Sequence, residues 1–246
     1  MDRVVNWNRR RFLAALGAAG LPAWASPVDA QPPEPIRRPI PATGEPLPVI
    51  GLGTWITFNA GTAASARAPL MPVMQTFLER GGAMIDSSPM YGTSEAVIGD
   101  LLTKAPRRQR LFAATKVWTY GKSAGERQME SSRRLWGVPK FDLIHVHNML
   151  DWEAHLETLQ AWKAAGRVRY VGITTSHGRR HDEMERALTR AQFDFVQFTY
   201  SLYDRDAEKR LLPLAAERRI AVVANRPFDG GAMFDAVKGR PVPPWA

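Results

Sequence analysis

The sequence predicts an α/β protein, a (β/α)8 barrel preceded by a short hairpin. Seven short apolar or β-branched runs recur roughly every thirty residues, with helix-period segments between them. No G-x-G-x-x-G opens the first strand–helix unit, as an open dinucleotide-binding sheet requires, because Gly51-Leu52-Gly53 is followed by Thr54-Trp55-Ile56. Polar and ionisable residues gather at the C-terminal ends of the runs, where a parallel barrel carries its chemistry.

Residues 1–30 read as a targeting segment ahead of a domain spanning 31–246. A basic start precedes the weakly apolar stretch Phe12–Ala25, with cleavage expected after Ala25 (Ala23-Trp24-Ala25) or Ala30 (Val28-Asp29-Ala30). Arg9-Arg10-Arg11-Phe12-Leu13 resembles the twin-arginine export motif, which implies the twin-arginine export machinery and a periplasmic destination. The stretch is too short and too rich in Ala and Gly for a stable membrane insertion, and no other segment is long and apolar enough.

Next, PIRRPI and PLPVI flank ATGE, a hairpin with Gly44 in its turn. The strands follow as VIGLGTW (49–55), AMIDSS (83–88), RLFAATKV (110–117), FDLIHVHN (141–148), RVRYVGIT (167–174), FDFVQFTY (193–200) and RIAVVAN (219–225). Among the helices, TSEAVIGDLLTKA has Thr93 as the expected N-cap, with Val97, Ile98, Leu101 and Leu102 on one face. DWEAHLETLQAWKAAG carries a Leu156, Leu159, Trp162 stripe and ends at Gly166. DAEKRLLPLAAERR carries Leu211, Leu212 and Ala215, with Pro213 expected to shorten or bend it.

Composition narrows the function. The 246 residues are 45% hydrophobic, enough for a sizeable core, and contain no cysteine, which excludes disulfides, thiolate nucleophiles and Cys-ligated metals. The formal charge is +9, of which Arg3, Arg9, Arg10 and Arg11 against Asp2 supply +3. The remaining basic residues are dispersed among acids and form no stripe with interleaved aromatics, so nucleic acid is not an expected partner.

The strand ends supply Thr54 and Trp55, Asp86, Lys116, His145 and His147, Thr174 and Thr175, Gln197, then Asn225 and Arg226, with Tyr91 on the loop after the second strand. Asp86 and Lys116 lie on adjacent strands, and burying either requires a partner, so they are expected to pair. Lys116 beside Tyr91 is expected to lower the phenol's pKa, making it a proton donor to a carbonyl oxygen near neutral pH. His147 would orient that oxygen, while His145, two residues earlier on the same face, reads as structural. His155 and His181 read as surface residues.

With these residues in place, the chain resembles the aldo-keto reductases, from IRRPIPATGEPLPVIGLGTW through IDSSPMYGTSEAVIG, FAATKV, FDLIHVH, GRVRYVGIT and DFVQFTYS to VVANRPFDGG. The resemblance implies a (β/α)8 barrel that reduces a small carbonyl substrate, an aldehyde or ketone, with NADP(H). It implies a catalytic tetrad of Asp86, Tyr91, Lys116 and His147. It also implies a cofactor site around Thr54, Trp55, Thr174, Thr175, Gln197, Asn225, Arg226 and Phe228. Thr174-Thr175 stand where the family has Ser-Asn, and Asn225-Arg226-Pro227-Phe228 where it has a stacking aromatic followed by Ser-Pro-Leu. After VVANRPFDGG only AMFDAVKGRPVPPWA remains, so the barrel is expected to be truncated after its seventh strand, with poor stability and weak or absent activity if this is the complete gene product.

Two other readings follow from the same residues. His145-x-His147 with His177 and Asp229 would suit a metal-dependent barrel hydrolase, although that leaves Tyr91 and Lys116 unused. The altered cofactor loop and short C-terminus would suit a non-catalytic binding protein of reductase shape.

Overall fold

The computed structural model describes residues 34–106 and 108–244; the expected targeting segment 1–30 lies outside them. Strands β1 (Arg37–Pro39) and β2 (Pro46–Pro48) pair antiparallel around Gly44, whose φ of 77° suits a residue without a Cβ. The main sheet is parallel and curls as a half-barrel. It comprises β3 (Leu52–Gly53), β4 (Met84–Asp86), β5 (Phe112–Val117), β6 (Phe141–Val146), β7 (Val168–Thr174), β8 (Phe195–Thr199) and β9 (Ala221–Asn225), in that spatial order. Each predicted run contains one strand. Among the described residues β3 and β9 each pair on one side only. The effect shows along β9, where the outward Val222 and Ala224 are exposed while Val223 packs inward.

The helices are α1 (Ala64–Arg67), α2 (Leu70–Glu79), α3 (Ser94–Leu102), α4 (Lys122–Trp136), α5 (Trp152–Ala164), α6 (His181–Arg190), α7 (Leu211–Glu217) and α8 (Ala232–Val237). Pro213 falls in the first turn of α7, where its missing N–H costs no hydrogen bond; residues 206–208 upstream form a separate 3₁₀ turn. Thr93 is not a side-chain cap. Its hydroxyl accepts the Gly61 N–H and donates to Asn59 Oδ1, tying the start of α3 to the preceding loop. His155 is wholly buried rather than on the surface, because α4 approaches α5 closely at Gly125; its Nε2 lies 2.7 Å from the Thr119 carbonyl.

One apolar cluster fills the space between sheet and helices, and a second fills the inside of the curl with Met84, Phe112, Ala114, Leu143, Tyr170 and Phe195. Ile40 and Leu47 of the hairpin close that inner cluster at the N-terminal end. Tyr170 locks them there, donating to Glu45 Oε2 at 2.6 Å with the Thr43 hydroxyl at 2.8 Å. One end of the curl is therefore plugged and the other is open for chemistry.

The contact between α3 and α4 depends on Gly99, where an added Cβ would overlap the Leu135 carbonyl oxygen. Backbone cannot yield as a flexible side chain does, so Gly99→Ala should destabilise the fold by about 1–3 kcal/mol. A urea midpoint lowered by that energy divided by the m-value is the expected reading; an unchanged midpoint would show that the two helices slide apart freely.

Candidate active site

The register brings Asp86, Lys116 and the β6 end together on the inner face, Gly53 opposite Asp86, Asp86 opposite Ala114 and Lys116 opposite His145. Lys116 is fully buried, and its Nζ donates to Asp86 Oδ2 at 2.6 Å and to the Ser87 carbonyl at 2.9 Å. Burial alone would lower the ammonium's pKa. The Asp86 charge beside it, helped by Tyr91, outweighs that and raises the lysine pKa above its ordinary value. Gln197 Nε2 reaches the same Asp86 oxygen at 3.2 Å.

Tyr91 sits in a tight turn in which its N–H donates to the Ser88 carbonyl and its own carbonyl accepts from Ser94. Gly92, at φ 59°, continues that turn where a Cβ would overlap the Asn59 side chain. Lys116 Nζ lies 5.2 Å from the centre of the Tyr91 ring, and the His147 ring stands edge-on to it at 5.6 Å between centroids. Here the expected tuning is corrected. Burial raises the Tyr91 pKa more than Lys116 lowers it, and Asp86 adds to the rise, so the net direction is upward. The phenol thus keeps its proton at neutral pH, which suits a donor, and Lys116 limits the penalty when the proton leaves.

His147 lies one residue past β6, at the start of a 3₁₀ turn whose Asn148 takes a left-handed φ of 52°. The Asn148 N–H donates to Thr174 Oγ1 at 3.0 Å, fixing that bend. Ser88 Oγ is 2.8 Å from His147 Nδ1 and accepts the Met90 N–H. Where the serine gives its one proton to Nδ1, the ring is the Nε2–H tautomer and Nε2 is left as a donor. Burial, then Lys116, hold the imidazole neutral, with its pKa lowered to about 3.

That depression predicts the acid behaviour of the fold. A histidine neutral when folded and free to charge when unfolded means the unfolded chain binds more protons, so stability is full above pH 6.5 and falls as pH drops toward 3. The slope contributed by His147 is about 1.4 kcal/mol per pH unit. His147→Gln should flatten the dependence of the urea midpoint between pH 6.5 and 4; an unaltered slope would assign acid lability elsewhere.

The remaining predicted residues surround this group with differing commitments. Thr54 is buried, and its hydroxyl donates to the Asp86 carbonyl. Thr174 Oγ1 is occupied by Asn148, and Thr175 Oγ1 donates to the Arg179 carbonyl. Asn225 accepts from the Thr199 hydroxyl and donates to the Thr175 carbonyl, closing β7 to β9. Arg226 bends the chain at φ 54° and lies across Gly230, 3.7 Å from Asp229. Trp55 is half exposed and meets His177 edge-on at 6.4 Å, whereas Phe228 packs against Phe234 at 5.0 Å. Among the described residues no group of three His, Asp or Glu could hold a metal ion, and His145 and His177 do not converge with His147 on one point.

Tyr91 O–H and the His147 ring therefore border one mouth beside a buried ion pair. Such a site can donate a proton to a carbonyl oxygen and stabilise its charge, but no side chain can supply hydride. The family profile described as aldo/keto reductase matches residues 49–243. The chain belongs to the aldo/keto reductase family. It is 27% identical to the NADH-specific methylglyoxal reductase of Escherichia coli, over 84% of this chain and 72% of that one. It is 28% identical to a second methylglyoxal reductase of that organism, over 74% of this chain and 64% of that one. A Klebsiella pneumoniae aldo/keto reductase solved with NADP and acetate superposes with a TM-score of 0.65 at 26% identity, covering 80% of this chain and 68% of that one.

The reductase site fits a nicotinamide dinucleotide. The Gln197 amide oxygen makes no hydrogen bond among the described residues, leaving an acceptor for a carboxamide N–H. Arg226 offers a guanidinium only loosely paired with Asp229 for a phosphate. Two residues of this reductase escaped the sequence reading. Ser88 holds His147 at Nδ1. Glu95 is buried behind Lys116, accepting from Thr115 at 2.6 Å, Ser132 at 2.8 Å and Trp136 at 3.3 Å. Burial raises the Glu95 pKa despite those three bonds. The run Tyr91-Gly92-Thr93-Ser94-Glu95, with an acid inside an apolar helix face, was the available signal.

Proposed function

We propose that the chain reduces an aldehyde or ketone with NADPH, Tyr91 acting as general acid. The observation that carries the reading is the convergence of Tyr91 and His147 beside the buried Lys116–Asp86 pair at the open end of the curl. When bound, the nicotinamide supplies hydride to the carbonyl carbon. Gln197 would hold its carboxamide and Arg226 a phosphate. His147 Nε2–H orients the carbonyl oxygen, Tyr91 gives that oxygen its proton, and the Lys116 ammonium stabilises the phenolate left behind. Asp86 keeps Lys116 charged and in place.

The test is a titration of the full chain with NADPH and NADH, followed by quenching of tryptophan fluorescence, then turnover with methylglyoxal and larger aldehydes. Saturable binding with carbonyl-dependent oxidation of the cofactor is expected. A folded chain that binds neither nucleotide would favour the non-catalytic reading. Export through the twin-arginine machinery belongs to the same proposal, on the strength of Arg9-Arg10-Arg11-Phe12-Leu13. Replacing Arg9 and Arg10 together by lysine should retain the protein in the cytoplasm, whereas unchanged periplasmic recovery would reject that route.

A further inference from the structure

His145 is the buried titratable side chain that the mechanism leaves unused. It is the register partner of Lys116, so both side chains project from the inner face of the sheet, with Ala114 and Leu143 of the apolar floor one row below. His147 stands one row above. The imidazole is fully buried and lies over Gly172 of β7, where an added Cβ would overlap Nδ1. Neither ring nitrogen has a hydrogen-bond partner among the described residues, and neither does Asp86 Oδ1.

An imidazole always carries at least one N–H donor, and when neutral also an acceptor; buried groups of this kind are almost always satisfied, by ordered water where protein atoms do not reach. A leucine would fill the row without creating that demand. We propose that His145 is a positioning residue for the Lys116–Asp86 pair, holding internal water beneath Lys116 that also reaches Asp86 Oδ1. The glycine at 172 gives the ring its seat. The water stabilises the ammonium from below without adding charge, which a protonated imidazole at this point would do; burial and Lys116 hold His145 neutral. The catalytic consequence rests on the proposed reductase reading, but the placement of the water does not.

The charged and titratable groups of this part of the inner face are Lys116 from β5, Asp86 from β4, His147 from the turn after β6 and Tyr91 above; β7 and β8 bring Gly172, Thr174 and Gln197, which do not titrate. A high-resolution crystal structure of the full chain should show water within hydrogen-bond distance of a His145 ring nitrogen and linked to Asp86 Oδ1. Dry ring nitrogens overturn the proposal. The Tyr91 titration, read by ultraviolet difference against Y91F, should move up by about one unit in H145L, because ionising Tyr91 leaves the Asp86, Lys116 and Tyr91 group net negative and it has then lost the water that solvates it. H145Q, which keeps a donor and an acceptor, should stay near the unaltered value. A folded H145L with an unmoved titration overturns the proposal. If H145L does not fold, G172A, which displaces the ring, should give the same upward shift. In the active enzyme H145L should lower kcat about tenfold with KM unchanged. If the unaltered chain reduces no carbonyl, the water and the Tyr91 titration still decide the role of His145 and only the reductase reading falls.

Discussion

Replacing Tyr91 by phenylalanine should lower kcat by 10²–10⁴-fold while leaving the Kd for NADPH within about twofold, the usual range for removing a positioned general acid. The phenylalanine ring keeps the edge-on packing against His147 and the face toward Lys116, so the substitution removes little besides the hydroxyl. Stopped-flow reduction of a saturating aldehyde measures the first quantity and fluorescence quenching the second. Retention of more than a tenth of kcat would assign the proton to another donor, His147 Nε2–H being the nearest candidate. The pH profile gives an independent check. Because the net shift of Tyr91 is upward, the phenol stays protonated through neutrality, and the Tyr91-dependent loss of reduction should come only in alkaline solution.

The central strands were legible because they are runs of apolar residues buried on both faces, as the unbroken burial of Phe112–Val117 illustrates. The helix α4 was not, since its inward face is Gly125, Met129, Ser132 and Trp136, and Ser132 is buried only because Glu95 accepts its hydrogen bond. The same distance in sequence concealed Ser88, whose partner His147 is 59 residues away, and His155, whose burial depends on a glycine of the preceding helix. For the site, the juxtaposition of Asp86 and Lys116 follows from adjacent strand ends, which spacing can reveal. The direction of the Tyr91 shift does not. It is decided by how much water the folded chain excludes from the phenol, and a list of neighbouring charges contains no such quantity.

Substituting Lys116 by methionine should destabilise the fold by about 3–5 kcal/mol as well as abolish most turnover. The loss does not measure the strength of the ion pair. The Asp86 carboxyl would be left in a largely buried position, with only the Gln197 amide at 3.2 Å and no cation to offset its desolvation. A double-mutant cycle separates the two effects. K116M combined with D86L removes the stranded charge and fills the row with apolar atoms, so its urea midpoint should recover at least half of what K116M alone loses. Turnover should not recover, because neither side chain would then support proton loss from Tyr91. A double variant no more stable than K116M would mean that the Asp86 side chain holds the strand ends by its shape and its hydrogen bond from Gln197, and that its charge is incidental to the fold. Recovery of stability without recovery of turnover would instead identify the pair as a feature retained for chemistry at some expense to stability.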